Sequence, residues 1–199
     1  TDHDPLEGSK AVSAHVTAQQ LSLEVPLAAE YLILGYGDVI AAFIEKEIQH
    51  RSSLEGFIKE VHEQGGLVIL PHPFSHHPKH LDLKPFDLIE SFNSRCSNHA
   101  NKKALTAVLS LHKPHYPASD AHAVQELHLA HFELNSTLPL KDALLKERIE
   151  GLQLKKTEKQ FILASQFIKH YKKKDIQGVL WVALRIAANM LKGTLFSSV

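Results

Sequence analysis

Short apolar runs alternate with helical periodicity over most of the chain. Tyr31-Leu32-Ile33-Leu34-Gly35 is a β-rich run closed by glycine, and Leu67-Val68-Ile69-Leu70 is another, closed by Pro71. Between them Leu54, Phe57, Ile58 and Val61 recur at i, i+3, i+4 and i+7, which is one face of a helix ending at Gly65-Gly66. Leu88-Ile89-Glu90-Ser91-Phe92 reads as the next strand, and Lys102 to His112 as a helix turning Ala104, Leu105, Val108 and Leu109 inward. His115 to Ser119 follows as a short strand, and Ala130 to Asn135 alternates like one more. Pro139 to Glu150 reads as a helix closed by Gly151. Repeated strand–helix units predict a largely parallel sheet, open or closed into a barrel, with the active groups at the carboxyl ends of the strands.

After Leu154 the pattern changes. Phe161, Ala164, Ile168 and Tyr171 form one helical stripe, Lys172-Lys173-Lys174-Asp175 interrupts, and Ile176, Val179, Leu180, Ala183, Ala187, Met190 and Leu191 form a second. The expected division is therefore residues 1–154 as the α/β domain and residues 155–199 as a helical C-terminal extension, packed on the domain or on a second copy.

Composition narrows the function. The 22 basic and 22 acidic residues cancel, so no global field draws the chain to duplex nucleic acid or an anionic membrane. A small phosphorylated substrate needs only a local positive site and stays open. The lone Cys96 cannot form an intramolecular disulfide, and a cytoplasmic location is the default. The segment from Ile176 to Leu191, interrupted by Gln177, Arg185 and Asn189, is too short and polar for a transmembrane span.

The candidate chemistry lies in three islands at predicted strand ends: Thr1-Asp2-His3-Asp4, Pro71-His72-Pro73 and Ser119-Asp120-Ala121-His122. Imidazole and carboxylate converging on one rim are what divalent metal ions require. Asp120 and His122 share parity on an extended backbone, so their side chains can converge. The other histidines, among them His76, His77 and His80, read as surface or core residues.

These islands, in order and together with Ile89-Glu90-Ser91-Phe92-Asn93-Ser94-Arg95, resemble successive motifs of the polymerase and histidinol phosphatase (PHP) family of metal-dependent phosphoesterases, from residue 1 to about residue 150. The resemblance implies an α/β fold, a distorted seven-stranded βα barrel of TIM-like type. Its rim would hold two or three divalent ions, zinc, manganese or iron, which activate water to hydrolyse a phosphate monoester or short nucleotide substrate.

Position by position, the resemblance implies His3, Glu24, His72, Asp120 and His122 as metal ligands, with Asp120 and His122 central to catalysis. Asp2, Asp4 and Asn93 would stand behind them as supporting groups, with Glu30 competing with Glu24 for the bridging carboxylate, and Arg95 would grip phosphate. The family's leading His-x-His motif has no counterpart, so the barrel is expected to be incomplete at its amino end and one metal to lack two ligands. An open seam or the C-terminal helices would then be candidate surfaces for homo-oligomerisation. Two other readings remain open at this stage: a regulatory module that binds metal or nucleotide without turnover, and a metal-dependent amidohydrolase.

Overall fold

The structure, a computed structural model, describes residues 2–3, 6–75, 77–78 and 81–191. A six-stranded mixed sheet carries the fold, with β1 (Asp2–His3), β2 (Ala28–Ile33), β3 (Gly37–Ala42), β4 (Leu67–Leu70), β5 (Leu88–Asn93) and β6 (His115–Ala118) hydrogen-bonded in chain order. β1 runs parallel to β2, β3 is antiparallel to both neighbours, and β4, β5 and β6 are mutually parallel. Strands β7 (Ala130–Glu133) and β8 (Glu150–Leu154) pair in a separate antiparallel ribbon.

This corrects the barrel expectation: among the described residues the sheet is open, and no closed seven-stranded barrel forms. One physical reason lies in the first unit. A β2–β3 hairpin stands where a strand–helix repeat was expected to begin. Its strands are joined through Leu34, Gly35 and Tyr36, with Gly35 at φ +74° and Gly37 at φ +106°, and the Tyr36 amide donates to the Ile33 carbonyl at 3.0 Å. Those left-handed dihedrals suit glycine and fold the chain straight back into an antiparallel neighbour. At the other end the ladder stops at β6, because β7 pairs with β8 instead.

Alternation along the strands separates two faces. Ala29, Tyr31, Ile33, Val39, Ala41, Val68, Leu70 and Ile89 point to one side, where α2 (Leu54–Glu63) and α3 (Asn98–Leu111) cover them with Phe57, Val61 and Val108. Each helix starts on a serine cap: Ser53 Oγ accepts from the Gly56 amide and Ser97 Oγ from the Ala100 amide. The opposite face carries Ala28, Ile40, Ala42, Leu67, Ile69 and Leu88, partly covered by Tyr116, Leu144 and Leu145. It walls a cavity of about 610 Å³.

Other expectations shift by local causes. Helix α1 (Glu7–Ala18) fills a stretch that showed no helical stripe to predict it, and α4 is short, Leu140–Lys146. Gly151 belongs to β8 at φ +54°, where an added Cβ would lie 2.6 Å from the Glu133 carboxyl carbon, so it serves the ribbon and does not end a helix. In the C-terminal extension, α5 (Lys159–Lys172) does not bury the predicted stripe: Ala164 is exposed, and Ile168 and Tyr171 are 52% and 71% exposed. α6 (Ile176–Leu191) packs against α5. No helix among the described residues is long and apolar enough to cross a membrane.

Candidate metal centre

The second face turns acidic toward one end. Glu30 pairs across the hairpin with Ile40, which places Asp38, two residues before Ile40, diagonally beside Glu30 on the same face. His72 follows β4 after Pro71. Continued extension would send it with Leu70 to the opposite side, but its φ of +31° turns the chain. The imidazole Nε2 lies 3.5 Å from Glu30 Oε1, and one ligand atom each from Glu30, Asp38 and His72 fall within 4.8 Å of one another. Both ring nitrogens of neighbouring His77 meet carbonyl oxygens, Nδ1 that of Tyr36 and Nε2 that of Pro71, each at 3.0 Å, and so tie the loop to the hairpin turn.

Beneath His72, Glu90 is buried, and its Oε2 accepts from the His72 amide at 2.8 Å and from Asn93 Nδ2 at 3.1 Å. Simple alternation would put residues 90 and 93 on opposite faces. A bulge between Glu90 and Phe92, opposite β6, restores Asn93 to the face of Glu90. Asn93 is held there by reciprocal bonds with Asn101, whose Oδ1 accepts from the Asn93 amide and whose Nδ2 donates to the Asn93 carbonyl, both at 3.0 Å. Asn93 Nδ2 also reaches Asp120 Oδ2 at 3.3 Å, so one amide links the β5 and β6 carboxylates.

Asp120 has φ +51°, a left-handed conformation unusual for a residue other than glycine and of the kind concentrated at functional sites. Asp120 and His122 come together through this turn and not through extended parity: His122 Nδ1 lies 2.9 Å from the Asp120 carbonyl oxygen and 3.6 Å from its carboxylate. The His122 amide donates to Glu126 Oε2 at 2.9 Å.

The electrostatics follow from this crowding of carboxylates. Burial disfavours the His72 imidazolium, but its hydrogen bond to Glu30 and the charges of Glu90, Glu30 and Asp120 outweigh that and raise its pKa to about 9. Burial pushes Glu90 up to about 7 even though His72 and Asn93 favour its ionised form. Asp120 is also raised, again by burial first, against the pull of His122 and His72. Burial pushes the Cys96 thiol up to about 11, which makes it a poor nucleophile at neutral pH.

The remaining predicted residues are distributed as follows. Glu24 is exposed on the segment before β2, while Glu30, its competitor, stands beside His72. Asp4 and the side chains of Asp2 and His3 lie outside the described residues; the backbone of Asp2 and His3 forms β1 beside Ala29 and Glu30. The Arg95 guanidinium lines the same cavity but is paired, with Nη1 at 2.6 Å from Glu126 Oε1, whose side chain is fully buried, and Nη2 donating to Ser165 of α5. Arg95 thus ties the β6–β7 connection to the C-terminal extension. The Thr157 amide adds a second tie, donating to the Ser94 carbonyl at 2.9 Å.

Asp38, Glu90 and Glu126 were not expected at the site. Asp38 had a readable signal, the apolar Val39-Ile40-Ala41-Ala42 run after Gly35-Tyr36-Gly37, which marks a hairpin. Glu90, a carboxylate inside an apolar strand, and Glu126 had none.

No protein-family model matches the chain. It is similar to two uncharacterized proteins of Methanocaldococcus jannaschii. Identity to MJ1587 is 34% over 98 residues, covering 47% of this chain and 56% of that protein. Identity to MJ0417 is 31% over 163 residues, covering 74% of this chain and 68% of that protein. Among solved structures, a two-domain protein containing a predicted PHP-like metal-dependent phosphoesterase, from Bacteroides vulgatus ATCC 8482, superposes with a TM-score of 0.60 at 16% identity, over 75% of this chain and 53% of that one. The chain thus spans about half the length of MJ1587 and of the solved structure. At such low identity the structural likeness speaks for the fold alone. With 31% identity across two thirds of its relative, the chain belongs to the family of the archaeal protein MJ0417.

Proposed function

We propose that this chain is a metal-dependent phosphoesterase domain of PHP-like type, acting on a phosphate monoester. The observation that carries the reading is the convergence of Glu30, Asp38 and His72 within 4.8 Å, with the Asp120–His122 turn lining the same cavity. The donor set suits a divalent cation: carboxylate oxygens and an imidazole match zinc, manganese or iron, and the excess of negative charge around His72 calls for a positive ion. The fold shared with the solved protein that contains a predicted PHP-like phosphoesterase supports this reading.

Glu30, Asp38 and His72 would hold one ion, and Asp120 and His122 would serve a second or complete the first. Divalent ions there would lower the pKa of a bound water and neutralise charge on phosphoryl oxygens. The chain's own residues set the frame. Asn93 holds the Glu90 and Asp120 carboxylates, and the His72 amide is pinned by Glu90. Glu126 anchors the His122 backbone. Such outer partners are worth about 10–100-fold in metal affinity or activity.

The test is metal analysis of the purified protein, coupled to hydrolysis of para-nitrophenyl phosphate with manganese or zinc. The expected outcome is metal uptake and turnover, with His72→Ala and Asp38→Ala each reducing metal affinity by more than about 100-fold, beyond the cost of losing an outer partner. Metal uptake without turnover on any phosphate ester would favour a metal-binding regulatory module, and failure to take up metal would overturn the reading.

A further inference from the structure

Helix α5 turns a polar face toward the candidate metal centre. Ile162, Ser165, Gln166 and Lys169 recur at i, i+3, i+4 and i+7, and these four line a cavity of about 270 Å³ whose other wall carries Glu30, Asp38, His72, Asp120 and His122. Leu163 of the same helix is buried, while Ile168 and Tyr171 are exposed.

Two groups on that face are available to a ligand. Gln166 Oε1 is buried, with no hydrogen-bond partner among the described residues, a condition that native interiors rarely tolerate without a bound group. Lys169 enters no salt bridge found among the described residues, whereas Arg95, the other cation lining the cavity, is neutralised by buried Glu126. Ser165 is occupied: it donates to the Ile162 carbonyl at 2.9 Å and accepts from Arg95. The double tie through Arg95–Ser165 and Thr157–Ser94 holds α5 at this distance from the acidic wall.

We infer that α5 is the substrate-binding wall of the site: Lys169 meets the phosphoryl oxygens of a phosphate monoester, and Gln166 Oε1 accepts from a hydroxyl of the same substrate, opposite the Glu30–Asp38–His72 wall. This rests on the metal-centre reading and adds its substrate side. This cavity of about 270 Å³ adjoins the one of about 610 Å³, with Glu30, His72, Asp120 and His122 lining both. The cation that the site offers phosphate therefore comes from the C-terminal extension, not from Arg95.

The experiment measures inorganic phosphate binding by calorimetry to manganese-loaded protein, in wild type, Lys169→Ala, Lys169→Arg and Gln166→Ala, with manganese stoichiometry and thermal unfolding followed in parallel. Loss of a charge-assisted contact predicts that Lys169→Ala weakens phosphate binding by about tenfold or more, that Lys169→Arg recovers most of it, and that manganese uptake and unfolding temperature stay at wild-type values. The Gln166→Ala variant should weaken phosphate binding less than Lys169→Ala does. Unchanged phosphate affinity in Lys169→Ala, with manganese still bound, overturns the assignment of α5 and leaves the metal centre intact. Failure of the wild-type protein to take up manganese or any other divalent ion overturns both.

Discussion

The two faces of the central sheet are built from the same strands and put them to opposite uses. On the face under α2 and α3, alternate residues from Ala29 to Ile89 are apolar and enclosed, with Tyr31 and Phe57 meeting edge to face at 5.5 Å between centroids. On the other face the run Ala28, Ile40, Ala42, Ile69 and Leu88 gives way to Glu30, Asp38 and Glu90 at one end. One face gains free energy from burial, while the other spends some of it on gathering carboxylates around His72. Stability and chemistry are thereby separated by side-chain parity.

Mutations on the two faces should therefore differ in kind as well as size. Phe57→Ala should cost about 4 kcal/mol of unfolding free energy by urea titration, through a cavity in a fully buried site, and leave manganese affinity unchanged. A parallel loss of metal affinity would show that the faces are coupled. Asp38→Asn should do the reverse. The stability of the metal-free protein should stay within about 0.5 kcal/mol of wild type, while the thermal shift produced by manganese in wild type should disappear.

The same face should also set the pH dependence of stability. In chelator-treated protein, the folded-state pKa of His72, about 9, lies above its ordinary 6.5. Its contribution to stability is therefore complete below about pH 6.5 and is lost as pH rises through about 9. Glu90, raised from 4.5 to about 7, acts in the same direction over a lower window, since the folded state again holds the proton more tightly. Urea midpoints should thus fall from about pH 6 to about pH 9, and Glu30→Gln should flatten the upper part of that fall. Manganese affinity should rise over the same range, because the imidazole must lose its proton to become a ligand. A midpoint that is flat in pH would mean that His72 does not sit among charged carboxylates.

Much of the frame was legible along the chain. β4, β5 and β6, the face of α2, and the placing of His72 and of Asp120–His122 just after strands follow from local apolar runs, caps and breakers, whose physics extends over only a few residues. The barrel did not follow, because closure depends on which edges find partners, and the β2–β3 hairpin and the β7–β8 ribbon leave the six strands open. Spacing favoured Glu24 over Glu30, yet of the two only Glu30 lies on a strand beside His72. Arg95 could have met phosphate, but a glutamate 31 positions later holds it.

The same boundary runs through the site. Residue order supplied donors of the right chemistry near strand ends, since imidazole and carboxylate are properties of single residues. Their convergence came from long-range geometry: a bulge that returns Asn93 to the face of Glu90, left-handed turns at His72 and Asp120, and a helix from the far end of the chain with its polar side inward. Each of these depends on packing between segments distant in sequence, and no local pattern of hydrophobic and polar positions records it.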